Sequence, residues 1–373
     1  MTETNISLAG VIAGDTSISV VEKEGSGLLY RGYAIEELAK MASFEEVAYL
    51  LIYGQLPNKA QLQEYCQKLI SLRDLPLELT QILEILPPNS NPMDILRTIC
   101  SVLGSLEPEN LTHNSFEIAN RLLALFPGAL FYWYHYHQNK TRISTVLCKS
   151  TTTAGYFLEL LHQEAIDNLQ TKALDVSLIL YAEHELNAST FAARVTASTL
   201  SDFYSCICSA IGTLRGPLHG GANEEALKLL LSFGNSQDAV SGVKNMLAQK
   251  KLIMGFGHRV YKKHDPRSDI IKNFAQQLAE NVNETHIFET AETIEKVMWD
   301  EKSLFPNLDF YSAVSYYCCR IPINLYTPLF VISRTTGWTA HILEQRQNNK
   351  LIRPLANYVG PNLTPLIKIE NRV

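Results

Sequence analysis

The sequence predicts an all-α protein with a larger and a smaller helical domain and a cleft between them. Three observations carry this. Apolar residues recur at helical spacing along nearly the whole chain, prolines interrupt that pattern at intervals suited to packed helices of moderate length, and period-two alternation is confined to one short stretch near the N-terminus. That stretch reads as a hairpin, Ser17 to Glu22, a Lys-Glu-Gly-Ser-Gly turn, then Leu28 to Tyr30. Arg31-Gly-Tyr-Ala-Ile-Glu-Glu-Leu-Ala39 opens the helices, and Pro57, Pro76, Pro87, Pro88, Pro92, Pro108 and Pro127 punctuate them. Residues 221–330, bounded by Gly220-Gly221 and Pro328, form the smaller domain. Residues 1–220 join the returning segment 331–373 in the larger one, which places His219 at the crossing point. Clefts between domains favour small-molecule sites, and a hinge lets them close against water.

The 373 residues are 46% hydrophobic, enough for a sizeable core, and carry a formal charge of -6 with both signs interspersed. No basic surface is available to neutralise a nucleic-acid backbone, so no nucleic-acid partner is expected. Seven cysteines, an odd number without a Cys-x-x-Cys pair, suit a reducing compartment. The Met-Thr-Glu-Thr-Asn start lacks a signal-peptide pattern, and no apolar run reaches the roughly 18 residues that span a bilayer. The expected location is cytoplasmic, without membrane association.

Three irregular segments between helical patterns hold side chains suited to chemistry: Gly216-Pro-Leu-His-Gly-Gly-Ala-Asn223, Gly255-Phe-Gly-His-Arg-Val-Tyr-Lys-Lys-His-Asp-Pro-Arg267 and Phe305-Pro-Asn-Leu-Asp-Phe-Tyr311. They supply His219, His258 and Asp309. Two imidazoles and a carboxylate suffice to remove a proton from a weak carbon acid, hold the enolate and polarise the carbonyl it attacks. Asn223 is read as an N-cap with Glu224 and Glu225 in the first turn, so His219 sits beside a helix N-terminus whose dipole disfavours imidazolium. A histidine in such a turn is more often satisfied by its own loop. The flanking glycines, which permit close approach of a ligand, favour a functional role.

His258 follows a Gly-x-Gly loop whose amides suit an anion or a pantetheine-like chain. Without a third glycine and a preceding strand this is no dinucleotide fingerprint. Asp265 caps the next helix with Pro266 at its first position, Ile270, Ile271, Phe274 and Leu278 form its apolar stripe, and Arg267 in its first turn can grip a carboxylate. Asp309 reads either as an N-cap, the commoner role of an isolated aspartate, or as a base desolvated by Phe310 and Tyr311. Arg334 lies among Leu329, Phe330, Val331, Ile332 and Trp338, so if buried it requires an anionic partner. Arg353 is the other arginine of interest. Tyr132-Trp-Tyr-His-Tyr-His137 is an aromatic packing patch rather than a metal site, since its histidines lack i, i+4 spacing. His264 and His341 read as solvated or structural.

At these residues the chain resembles the citrate synthase family nearly end to end. The matching pieces are Leu29-Tyr-Arg-Gly-Tyr33, Ala182-Glu-His-Glu-Leu-Asn-Ala-Ser-Thr-Phe191, Gly216 to Asn223, Gly255 to Arg267, Asp309-Phe-Tyr-Ser312, Ser333-Arg334 and Arg353-Pro354. Within the family it is most similar to the 2-methylcitrate synthase branch, through Trp133-Tyr-His-Tyr136, Tyr181-Ala-Glu-His184, Met298-Trp299, Phe305 to Asp309 and the run from Glu344 to Pro361. Two positions depart from that branch: Arg259, where proline is common, and Asn91, where a histidine commonly precedes Pro92.

The resemblance implies a two-domain citrate-synthase-like fold and a condensation of propionyl-CoA with oxaloacetate and water, giving 2-methylcitrate and CoA. The alternative is citrate synthesis from acetyl-CoA. It implies that Asp309 removes the α-proton, His219 stabilises the enol and His258 protonates the ketone oxygen. His184, Arg267 and Arg334 would hold oxaloacetate with Arg353, the last donated across a homodimer. Leu218, Ile253, Met254, Gly255, Phe256, Gly257 and Lys262 would meet CoA, with Lys262 or Lys263 at its phosphates. No metal and no cofactor is expected, the coenzyme A thioester being a substrate. A metal-dependent hydrolase using His219 and His258, and a non-catalytic helical binding protein, are the readings from other classes.

Overall fold

A computed structural model describes residues 10–22 and 27–372. The hairpin is present and gains a third strand: β1 (Ser19–Val21) pairs antiparallel with β2 (Leu28–Tyr30), and β2 with β3 (Tyr33–Ala34). Residues 23–26 of the expected first turn lie outside the described residues. The sequence reading ran the first helix from Arg31. Instead Arg31 and Gly32, at φ 49° and 88°, make a two-residue turn between β2 and β3, the left-handed pair that matches strand twist.

Sixteen α-helices follow among the described residues. The first five are α1 (Ile35–Met41), α2 (Phe44–Tyr53), α3 (Lys59–Ser71), α4 (Leu77–Ile85) and α5 (Pro92–Leu106). Ser43 with Glu46 and Asn58 with Gln61 form capping boxes that start α2 and α3, and Asn91 caps α5 with Pro92 at its first position. Next come α6 (Ser115–Asn139), α7 (Thr153–His162), α8 (Asn168–Tyr181), α9 (Ala188–Ser198) and α10 (Phe203–Leu214). Pro127 does not end a helix as expected; it lies inside α6, where buried neighbours on every side outweigh the lost backbone bond. His135 and His137 close onto the carbonyls of Leu160 and Leu83 at 2.8 and 2.9 Å, so the aromatic patch is packing.

The remaining helices are α11 (Ala222–Leu231), α12 (Ser236–Ala248), α13 (Pro266–Asn281), α14 (Thr285–Lys302), α15 (Leu308–Cys318) and α16 (Tyr326–Gln347). Helices α11 to α15 pack chiefly on one another, and α16 packs against α2, α5, α6, α8, α9, α10 and α11. Residues 330 and 331, where the sequence reading divided the domains, both fall inside α16. Its inner face is polar as well as apolar: Arg334, Trp338 and His341 are all buried. Gly337 makes this possible, because a Cβ there would collide with the Ala182 carbonyl and Glu183 Oε2. After α16 the chain is extended, and nearly all of it is exposed from 351 to 372. All seven cysteines are free thiols, and no helix among the described residues is long and apolar enough to cross a membrane.

Candidate active site

His219 lies in a tight turn, its own N–H and that of Gly220 both donating to the Gly216 carbonyl. A Cβ on Gly220 would collide with the Leu214 carbonyl, so only glycine lets the chain leave α10 this closely. The helix behind it starts two residues earlier than expected: Gly221, at φ 81°, is the N-cap, and Asn223 sits inside the first turn. Ser189 of α9 fixes the ring. Its backbone N–H donates to His219 Nε2 at 3.1 Å and its hydroxyl lies 2.8 Å from the same nitrogen. A backbone N–H can only donate, so Nε2 is an acceptor and the neutral ring carries its proton on Nδ1.

His258 is the mirror case. Its Nδ1 accepts the N–H groups of Val260 and Tyr261 at 3.1 and 3.2 Å, which leaves Nε2–H as the donor. Both rings are pushed down to about 4, His219 by burial and then by Arg334 and Arg259, His258 by burial and then by Arg267. The expected neutrality of His219 therefore has a different main cause. Desolvation and neighbouring guanidinium groups do the work assigned to the helix dipole.

Asp309 is not an N-cap: Asn307 caps α15 and receives the Asp309 N–H at 3.0 Å. The Asp309 carboxylate accepts the Tyr181 hydroxyl at 2.6 Å. Burial raises its pKa, and the Tyr181 bond and the charges of Arg267 and Arg334 work against that rise. The loops bearing His258 and Asp309 are stitched together. Gly257 N–H donates to the Phe305 carbonyl at 2.8 Å, Asn307 N–H to the Gly255 carbonyl at 2.9 Å and Asn307 Nδ2 to the Gly257 carbonyl at 3.0 Å. The Gly257 amide is thereby spent and cannot cradle an anion.

Asp265 caps α13 as expected and also holds Arg267 side-on, Nε at 3.0 Å and Nη2 at 2.9 Å, while its Oδ2 takes the Leu308 N–H at 3.1 Å. Arg267 thus already grips a carboxylate, and among the described residues only its Nη1 is without a protein hydrogen bond. The buried Arg334 donates Nε to the Tyr181 carbonyl at 2.6 Å and lies over the Phe330 ring. His184 is buried, with its Nε2 3.2 Å from the Tyr261 hydroxyl and its ring centroid 5.0 Å from that of His258. Burial, then Arg267 and His258, depress it far below the usual histidine value.

Hydrogen bonds and the backbone of α16 together link these parts. Asp309 meets Tyr181, Tyr181 meets Arg334, Trp338 one turn on donates to Ser189 Oγ at 3.1 Å, and Ser189 holds His219. Sequence reasoning missed Tyr181, Ser189, Tyr261 and Trp338 as site residues. Tyr181 ends an apolar helical run and Trp338 sits in another, so both read as core; Ser189 stood in a quoted motif without an assigned role.

Arg353 is exposed in the extended segment after α16. Around the glycine loop, Leu218 is 91% exposed beside His219, Phe256 packs on Phe310 at 4.5 Å between centroids, Met254 is partly buried and Lys262 is exposed. Gly255 presses on Phe310 so closely that a Cβ would lie 3.0 Å from it. Ile253 is the exception, its side chain packed in the core, so only its backbone can face a ligand. A separate cavity of about 480 Å³ lined by Leu72, Glu107, His113 and Arg121 shares no residue with this constellation.

Comparison with known proteins finds relatives along nearly the whole chain. The family model described as "Citrate synthase, C-terminal domain" matches residues 7–355. A 2-methylcitrate synthase of Shewanella oneidensis is 50% identical over 99% of this chain and 98% of its own, and citrate synthase 2 of Bacillus subtilis is 42% identical over 98% of each. Among solved structures, the citrate synthase of Thermoplasma acidophilum, in ternary complex with carboxymethyl coenzyme A and oxaloacetate, superposes with TM-score 0.89 at 31% identity over 97% of this chain and 98% of that one. The chain belongs to the citrate synthase family. It is an acyltransferase of the kind that condenses an acyl-CoA with oxaloacetate.

Proposed function

We propose that the protein is a 2-methylcitrate synthase, condensing propionyl-CoA with oxaloacetate and water to give 2-methylcitrate and CoA. The observation that carries the reaction type is the pair of opposite neutral tautomers, His219 with Nδ1–H and His258 with Nε2–H, in a site with a desolvated carboxylate. Asp309 takes the α-proton of the thioester. His219 donates Nδ1–H to the enol oxygen, and His258 donates Nε2–H to the oxaloacetate ketone as the new carbon–carbon bond forms. Water then cleaves the thioester and releases CoA. Arg334, His184 and the Nη1 edge of Arg267 receive the two carboxylates of oxaloacetate, convergent cation and donor chemistry suited to a dianion.

The propionyl assignment is supported by the 50% end-to-end identity to a 2-methylcitrate synthase, against 42% to a citrate synthase. Arg259, in place of the proline common in that branch, favours acetyl-CoA as the second reading. One methylene in a pocket is worth about 1–3 kcal/mol, so both thioesters are used and the name describes a ratio.

The same reading makes the protein a cytoplasmic homodimer in which Arg353 completes the partner's oxaloacetate site. The apolar side chains Leu355, Tyr358, Val359, Leu363 and Leu366 along the C-terminal segment, all more than three-quarters exposed in the single chain, suit such a wrap. Residues 221–330 form the smaller domain, which closes on the larger when oxaloacetate binds and shields the thioester from water. Leu218, Met254, Gly255, Phe256, Gly257, Lys262 and the Ile253 backbone line the CoA side.

Free-thiol release from acetyl-, propionyl- and butyryl-CoA, each with and without oxaloacetate, tests the assignment as kcat/KM. A propionyl preference is expected. An acetyl preference makes the protein a citrate synthase, and no oxaloacetate-dependent release refutes the condensation.

A further inference from the structure

One buried charge has no task in this mechanism. Glu183 is wholly enclosed; its Oε1 accepts Ser19 Oγ at 2.9 Å and His341 Nε2 at 2.8 Å, and its Oε2 has no hydrogen-bond partner among the described residues. Arg194 Nη1 lies 3.0 Å from His341 Nδ1. An arginine N–H can only donate, so Nδ1 is the acceptor and the ring proton sits on Nε2, directed at Glu183. His341 therefore meets Glu183 as a neutral donor and does not cancel its charge. Burial pushes Glu183 toward protonation, but its contact with His341, then the charge of Arg334 and the Ser19 hydroxyl, hold it below the usual carboxylate range.

Arg334 is the cation that answers this charge. It is equally enclosed, makes one protein hydrogen bond through Nε, and has no carboxylate within ion-pair distance among the described residues. Gly337 brings the two together: a Cβ there would collide with the unpartnered Glu183 Oε2 and reach Arg334 Cδ at 3.3 Å.

We propose that Glu183 is the resident counter-charge of Arg334, a positioning residue that holds the guanidinium in the cleft before oxaloacetate arrives and then competes with the substrate carboxylate for it. The proposal rests on the reading that Arg334 binds oxaloacetate. Without Glu183 the free protein buries an uncompensated guanidinium, which is costly. With it, the incoming carboxylate meets a cation already partly neutralised, which weakens binding of oxaloacetate and of the more highly charged product and speeds release.

The test compares wild type, Glu183→Gln and the charge-keeping Glu183→Asp by calorimetric titration with oxaloacetate and by thermal midpoint. Glu183→Gln is expected to bind oxaloacetate about tenfold more tightly, to melt lower when free, and to gain more from oxaloacetate than wild type; Glu183→Asp stays nearer wild type. Unchanged or weaker oxaloacetate binding by Glu183→Gln overturns the proposal. If Glu183→Gln does not fold alone, adding Arg334→Gln to it decides: recovered folding supports the counter-charge, and no recovery refutes it. Wild type that does not bind oxaloacetate removes the functional reading itself, whereas wild-type binding that Glu183→Gln leaves unaltered removes only this inference.

Discussion

Asp309 must be ionised to act as a base, and its surroundings pull in two directions. Burial raises its pKa while the Tyr181 hydroxyl, at 2.6 Å, stabilises the charged form and fixes the carboxylate's orientation. Tyr181→Phe removes that donor with little change of shape. Its kcat is expected to fall by about ten- to a hundredfold through lost positioning, and the acid limb of its kcat–pH profile to move to higher pH; a limb that stays in place contradicts the hydrogen bond's role. His219, His258 and Asp309 were legible because each stands in an irregular segment rich in glycine or proline. Tyr181 was not, because a tyrosine at the end of an apolar helix carries the same pattern whether its hydroxyl meets a core partner or a catalytic carboxylate. Arg334 was legible as a buried cation in need of an anion, but the counter-charge Glu183 was invisible, since only the fold brings residues so far apart together.

At the scale of elements, the turn between α10 and α11 sets where His219 stands. Gly220→Ala puts a methyl into the Leu214 carbonyl, so the turn must open. Destabilisation of about 1–3 kcal/mol is expected, read by denaturant unfolding, with a larger loss of kcat than of oxaloacetate affinity. A variant with wild-type kcat contradicts the close approach. Helical periodicity revealed that the chain is mostly helical, and the cap pattern that Asp265 and Pro266 start α13. It could not reveal β3, whose two residues are too short to show alternation, nor the continuation of α6 through Pro127, because local propensity yields there to packing against the core. The two-residue offset at α11 has a similar origin: Gly221 provides a left-handed cap that needs no side-chain hydrogen bond, and Asn223 only looks the better cap.

For the whole molecule, keeping the buried imidazoles of His219 and His258 neutral has a price in acid. Unfolded histidines protonate near their ordinary value of about 6.5, while His219 and His258 resist until about 4. Between those limits the unfolded chain binds more protons, so stability falls as pH drops from about 6.5 toward 4 and does not depend on these groups above it. Thermal midpoints measured across that range should show the decline, and His219→Asn should flatten it; an unchanged slope in the variant contradicts the depressed value. In the proposed function, Asp309, His219, His258 and the buried arginines make a carbanion equivalent from a thioester and deliver it to oxaloacetate. Asp309→Asn tests that claim most directly, with thiol release and oxaloacetate binding measured on the same preparation. The account predicts that oxaloacetate still binds while turnover is lost by several orders of magnitude; turnover close to wild type would contradict it.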